Sequence, residues 1–353
     1  MKTLLKMVGV VVAIGGVLAL GAGLWAYRSY QSFLDDPLPN SQPVPFTITS
    51  GQGFAAIIKD LEDEGLIQEP WHWWVLGRRS ALASRIQAGE YQLSPGLRPN
   101  ELLTLLAEGR VVQHALTIVE GWRFSDLAAA VDRHPALDHT LLELPATEIA
   151  RRIDPELDHL EGWFLPETYY FPRNTTDVSL YQRAYAAMQQ ALAEAWERRD
   201  PEAPLTAPEE MLILASIVEK ETGLASERAQ IAGVFLRRLE LRMRLQTDPT
   251  VIYGLGDAFD GNLRRRDLRS DTPYNTYTRF GLPPTPIALP GRAALDAVAQ
   301  PEAGKALYFV ARGDGSHQFS ETLEAHNQAV QEYQINPIKN KYIRKLFNAH
   351  CQY

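Results

Sequence analysis

The sequence is poor in the residues that build covalent or metal-bound scaffolds. Its 353 residues include one cysteine, Cys351, the third residue from the end. No intrachain disulfide can form and no thiolate metal site can be built. His317 and His326 stand in "GSHQFS" and "EAHNQ", with no His-Glu-x-x-His pattern and no clustered third ligand, so no metal is expected. A Gly-x-Ser-x-Gly elbow, a phosphate-cradling Gly-x-x-x-x-Gly-Lys-Ser/Thr loop and a dinucleotide fingerprint are all missing, and no cofactor is expected. A basic surplus is missing too. The formal net charge is −8, which argues against a nucleic-acid partner. Tandem repeats and low-complexity tracts do not occur. With 45% hydrophobic residues, the chain is long and apolar enough for two domains with cores of their own.

One long apolar run is present. Met7 to Tyr27, "MVGVVVAIGGVLALGAGLWAY", carries no charge. Its roughly 21 residues, at ~1.5 Å per residue, would span ~30 Å of bilayer core. Lys2 and Lys6 precede it, Arg28 and then Asp35 and Asp36 follow, and Trp25 and Tyr27 suit the interface. The positive-inside rule puts residues 1–6 in the cytoplasm, makes 7–27 a transmembrane helix and leaves the rest outside. The A-x-A-like fragments in "ALGAGLWAY" keep a cleaved signal peptide as the alternative.

Beyond the run, 28–44 is polar and proline-rich and reads as a semi-extended linker. Residues 45–110 read as a small α+β module: strand "PFTITSG", helix "FAAIIKDLEDEGLI" closed by Gly65, helix "EPWHWWVLGRRS" opened by Pro70, strand "GEYQLS", and helix "RPNELLTLLAEGR" capped by Asn100. Residues 111–335 read as a larger mixed α/β domain. It holds strand "HALTIVEGW", a helix capped by Ser125, an aromatic Pro-punctuated stretch "EGWFLPETYYFPRNTTD" and a long amphipathic helix from Val178. Two more helices follow, then a segment from 244 to 290 with little regular pattern, a hairpin turning at Gly313, Asp314 and Gly315, and a closing helix. The basic tail, 336–353, reads as solvated.

The chemistry concentrates where an oily helix runs into two acids, "MLILASIVEKETG" (211–223). At 100° per residue, Leu214, Ile217, Val218 and Glu221 share a face, while Glu219 lies about 160° away, in line with Leu212 and Ala215. The two acids cannot form a side-by-side dyad. If the Leu214 stripe faces the core, Glu221 ends in an apolar wall at the negative pole of the helix. Both effects raise a carboxyl pKa and suit a general acid. The plain alternative is a helix-end acid paired with Arg237, Arg238 or Arg242. Glu219 reads as exposed or salt-bridged.

Two loops, "RLQTDPTVIYGLG" (244–256) and "DTPYNTYTRFGLPPTPIALPG" (271–291), are dense in Tyr, Asn, Thr, Gln and Pro. Planar rings, amides and hydroxyls on proline-stiffened loops suit sugar recognition. Trp71, Trp73 and Trp74 form either a glycan platform or, more plainly, the core of a small domain.

In order, "EGWFLPETYYF", "ASIVEKET", "RLQTDPTVIYG", "YNTY", "GLPPTPIALPG" and "LYFVARGDGSHQFS" closely resemble the endolytic murein transglycosylase, or YceG-like, family, over about 45–335. The resemblance implies a single-pass protein of the bacterial cytoplasmic (inner) membrane, with a LysM-like module at 45–110 and a catalytic domain at 111–335 in the periplasm or outside. The substrate would be peptidoglycan glycan strands, cut within the strand between N-acetylmuramic acid and N-acetylglucosamine to leave a 1,6-anhydromuramic end. Such cutting would terminate nascent strands beside peptidoglycan synthases, the implied partners. The family's catalytic glutamate falls on Glu221. Gln246, Thr247, Asp248, Tyr253, Asn275, Thr276 and Tyr277 are the candidates for sugar subsites. Asp248 could instead serve a turn, and Asn275 could orient Glu221. Two rival readings stay open: a membrane-tethered peptidoglycan-binding scaffold without activity, and a muramidase-type hydrolase using Glu221 with Asp248.

Overall fold

The computed structural model describes residues 2–335. The basic tail, including Cys351, lies outside the described residues. The chain divides into two compact units, one running to His114 with Phe171–Asn174 added, the other made of Ala115–Tyr170 and the chain from Thr175 on.

In the first unit, α1 (Lys2–Asp35) is one continuous helix. From Gly9 it is long and apolar enough to cross a membrane, and its most apolar 18 residues are unburied. Residues 28–44 depart from the expected linker. The helix runs on through Asp35, because Tyr30, Phe33 and Leu34 repeat at helical spacing and pack, with Leu38, into the unit's core. Strand β1 (Val44–Ile48) pairs antiparallel with β2 (Gly89–Leu93), setting Phe46 opposite Tyr91. Between them come α2 (Phe54–Asp63) and α3 (Pro70–Ser80), and α4 (Pro99–Ala107) follows. Alternate strand residues Phe46, Ile48, Tyr91 and Leu93 are buried against Ile57, Leu61, Leu66, Trp73 and Leu102. Phe54 sits at the edge of this core, and its ring comes within 2.5 Å of where a Cβ on Gly77 would lie, so α2 and α3 can approach closely only with glycine there.

The two expected caps are each displaced. α4 starts at Pro99 with Arg98 as its cap, not Asn100, and α5 (Phe124–Asp132) has Arg123 as its cap, not Ser125. The carboxylates of Glu101 and Asp126 reach back to accept from the Arg98 and Arg123 N–H groups, each at 2.9 Å. An acid in the third helical position thus defines each start without a capping side chain before it.

The second unit is mixed α/β, as expected. Strand β3 (His114–Thr117) precedes α5; β4 (Leu137–Asp138) and α6 (Ala146–Ile153) follow it. Next come β5 (Thr168–Phe171), paired with β3, and β6 (Thr175–Thr176), paired in parallel with β4. Helix α7 (Asp177–Glu197) is capped by Thr176, whose hydroxyl accepts from Ser179 N–H. Helix α8 (Pro208–Glu221) opens with proline and two glutamates, a favourable first turn. Helices α9 (Arg228–Glu240), α10 (Asp248–Leu255) and α11 (Arg292–Ala299), the hairpin β7 (Tyr308–Ala311) and β8 (His317–Ser320), and α12 (Leu323–Val330) complete the unit. α10 lies inside the segment that shows little pattern in sequence. It is only two turns long and contains Pro249 and Gly254, so no periodicity reveals it.

Helix α8 is central: α7, α9, α10 and α11 all pack on it. Every residue from Met211 to Val218 is buried. This corrects the expected stripe, since Leu212 and Ala215, on the Glu219 side, are as buried as Leu214 and Ile217. What distinguishes the two acids is the company at the helix end.

Candidate active site

Glu221 is the last residue of α8, and Thr222 turns the chain into extended conformation. The segment before α10 comes back to meet it. Leu245 is buried, Gln246 takes a left-handed backbone at φ 50°, and Thr247 caps α10. A left-handed non-glycine residue is uncommon and tends to mark functional loops. This bend lets the Thr247 hydroxyl donate to Glu221 Oε1. The Thr247 N–H donates to Thr276 Oγ1 at 3.1 Å, and the Thr250 and Thr276 hydroxyls meet at 2.9 Å. Thr247, Thr250 and Thr276 are all buried, so the group holding the carboxyl is itself fixed.

No basic side chain among the described residues forms an ion pair with Glu221. Arg237 donates to the Ala306 and Glu302 carbonyls, and Arg238 to Leu307 and Leu245 carbonyls at 2.6 and 2.7 Å. Arg242 takes a left-handed backbone just past α9. Burial pushes the Glu221 pKa up to about 7; the Thr247 hydrogen bond, His317 and Arg238 oppose the rise, and Asp248 adds to it. Asp248 in turn accepts from the Tyr277 hydroxyl at 2.6 Å. His317 is held by Glu227, through its backbone N–H at 2.9 Å and its Nδ1 at 2.7 Å.

Glu219 belongs to another neighbourhood. Its side chain is 5% exposed, accepts from Gly291 N–H at 2.9 Å and lies 3.8 Å from Arg228. Of the two expectations for Glu219, the salt bridge is found and exposure is not. Burial raises its pKa as well, with Arg228 and Lys220 opposing.

A second acid rises as far as Glu221. Burial takes the pKa of Glu161 up to about 7, although its carboxyl accepts from Phe124 N–H at 2.9 Å and from the Tyr253 hydroxyl at 3.1 Å. The Arg123 guanidinium lies 5.1 Å from the Tyr253 ring centre, and the Tyr274 ring meets Tyr253 edge-on. Gly162 makes this corner possible: its φ is 86° and a Cβ there would come 2.4 Å from Pro286.

Comparison with known proteins assigns the scaffold. The model of the YceG-like family matches residues 46–332. The chain belongs to the YceG-like family. A Bacillus subtilis (strain 168) relative named endolytic murein transglycosylase is 31% identical over 311 residues, covering 82% of this chain and 84% of the relative. A Streptococcus pneumoniae serotype 2 relative of the same name is 29% identical, covering 89% of this chain; the match spans 63% of the streptococcal protein's length. The crystal structure of a yceG-like protein from Listeria monocytogenes superposes with a TM-score of 0.52 at 29% identity, over 82% of this chain and 99% of that one.

Within this YceG-like chain the seven expected subsite residues separate into groups. Thr247 touches the Glu221 carboxyl, and Asp248 and Tyr277 form a bonded pair beside it. Gln246 is exposed on the same bend, and Thr276 buttresses Thr247 from behind. Asn275 does not orient Glu221. Its amide donates to the carbonyls of Asp267, Leu268 and Ser270, and its Oδ1 accepts from Tyr277 N–H, so it braces the loop. Tyr253 binds Glu161 instead. Sequence reasoning missed Glu161, Arg123 and the Glu227–His317 pair. Glu161 opens the aromatic stretch "EGWFLPETYYF", and that position was its only signal.

Proposed function

We propose that this chain is an endolytic murein transglycosylase in which Glu221 is the only acid/base. The observation that carries the reading is a carboxyl at the end of α8, raised to about 7, that accepts from one side-chain hydroxyl and has no ion-pair partner among the described residues; Glu161, raised as far, is tied by the Phe124 N–H as well as by a hydroxyl. At neutral pH about half of it is protonated, the state a general acid needs. The relatives' shared name supplies the substrate, murein, and the endolytic mode.

Glu221 gives its proton to the glycosidic oxygen as the bond from muramic C1 to that oxygen breaks. The muramic C6 hydroxyl then attacks C1, forming the 1,6-anhydro bond, and its proton passes to Glu221. The acid ends as it began, and no water is consumed. The nucleophile comes from the substrate, so a second protein carboxylate is not required, unlike most glycoside hydrolases. The intramolecular attack gains from high effective molarity. Thr247 holds the carboxyl in place. Gln246, Asp248 and Tyr277 bind sugar beside it, Asn275 and Thr276 keep their loop in shape, and Tyr253 belongs to a more distant subsite organised by Glu161.

The reading extends to the rest of the chain. α1 anchors the protein in the cytoplasmic membrane by the 7–27 span, with the remainder outside. Residues 45–110 act as a LysM-like module that holds glycan or positions the catalytic domain at 111–335. Cutting beside peptidoglycan synthases terminates strands and sets their length. Mass spectrometry of digested glycan is the test. Anhydromuramic ends within strands support the reading; reducing ends would point to a hydrolase using Glu221 with Asp248, and uncut glycan to a binding scaffold.

A further inference from the structure

Helix α3 carries an unusual outer face. Trp71, Trp74, Val75 and Arg78 fall at i, i+3, i+4 and i+7, one stripe of a helix. Trp71 and Trp74 are 40% and 42% exposed, and Arg78 and Arg79 are exposed beside them. Aromatic side chains of this size seldom stay in water without a partner surface. The opposite stripe, His72, Trp73, Leu76 and Gly77, is buried.

The buried side ties α3 to α1 just past the apolar run. His72 lies 3.0 Å from the Ser29 hydroxyl, and its ring stacks on Phe33 at 4.8 Å. At the other end, the Arg79 guanidinium sits 5.6 Å from the Tyr30 ring centre. Side chains from both ends of α3 therefore reach one stretch of α1, Ser29 to Phe33. At ~1.5 Å per residue, that stretch begins ~3 Å and ends ~9 Å beyond Tyr27. The polar headgroup layer outside the hydrocarbon is about 5–8 Å deep on each side.

We propose that α3 is a membrane-interface helix, which lays Trp71, Trp74 and Arg78 into the outer headgroup layer of the bilayer that α1 spans. The occupant follows from continuity: α3 is fixed by these side chains to the anchor at headgroup height. Exposed tryptophans with flanking arginines are the composition that settles at such interfaces. The consequence is that the first unit is held at a set height and tilt over the membrane, where a flexible linker would let it wander. The inference rests on α1 being the membrane anchor.

The test uses the full chain with Cys351→Ser, reconstituted into phosphatidylethanolamine–phosphatidylglycerol vesicles. Single nitroxide labels are placed by Val17→Cys, Lys59→Cys, Trp71→Cys or Trp74→Cys, and depth is read from relative accessibility to oxygen and to a water-soluble nickel chelate. Position 17 should read as hydrocarbon and position 59 as water, with 71 and 74 between them and shielded from nickel. Labels at 71 and 74 that match 59 while 17 stays in hydrocarbon would overturn the interface helix alone. An aqueous reading at 17 would overturn the anchor and this inference together. Nickel protection at 71 and 74 that needs added soluble glycan strands would also overturn it, making the pair a sugar platform.

Discussion

The two sides of the α8 end place the same functional group in opposite circumstances. On one side Glu219 is buried but answered, by Arg228 at 3.8 Å and by the Gly291 N–H. On the other, Glu221 has a threonine hydroxyl, a neighbouring aspartate and no countercharge within ion-pair distance among the described residues. A buried acid with a cation holds two segments together. A buried acid without one keeps its proton to higher pH. The contrast teaches that burial alone does not mark a catalytic acid in this helix; the missing partner does.

Breaking the comparison at its functional side has the largest effect. Glu221→Gln keeps the shape and loses the proton, and release of anhydromuropeptides should fall by ~10²–10⁴-fold. Thr247→Val comes next. Its hydroxyl favours the ionised form, so removing it raises the Glu221 pKa further. The high-pH fall of the pH–rate profile should move to higher pH, and loss of positioning should cost roughly tenfold in rate.

Thermal stability sharpens the same contrast. A Glu221 pKa raised from 4.5 to about 7 means the folded state holds a proton that the unfolded state has lost. That contribution is complete below about 4.5 and is lost as pH rises through about 7. Glu221→Gln should therefore melt higher than the wild type above pH 7, with little gain near pH 4.5. Glu219→Gln should gain in the same sense but by less, because burial raises the Glu219 pKa too while the Gly291 N–H, Arg228 and Lys220 hold it down. Differential scanning calorimetry at two pH values compares the two gains. The smallest expected effect is on the activity of Glu219→Gln, within about threefold of wild type once folding is secured, since that side chain is turned to Gly291 and Arg228 and takes no part in the proton transfers.

Much of this arrangement was legible in the residues. The "EKET" ending, the interruption at Gly223 and the polar loops are local patterns, and local chemistry makes them readable. The facing of Glu221 was not readable from α8 itself. A helix buried on all sides has no solvent face to orient it, and only the fold of α10 and the left-handed Gln246 brings Thr247 to the carboxyl. Glu161 was illegible for a similar reason. Its setting is made by Phe124 and Tyr253, and by Pro286 close to the neighbouring Gly162, residues far apart in sequence that meet only after folding. The role of Asn275 was misjudged because an asparagine in a loop reads alike whether its amide meets a ligand or the carbonyls of its own chain. The continuation of α1 past Arg28 was hidden by the polar residues between Tyr30, Phe33 and Leu34.

The claim at the centre is that Glu221 keeps its proton near neutral pH while sitting at the end of α8. Carboxyl carbon NMR on protein labelled at its glutamates measures this directly, the Glu221 signal being the one absent from Glu221→Gln. The account predicts a resonance that titrates at about 7. A resonance titrating near 4.5, as an ordinary solvated glutamate does, would contradict it.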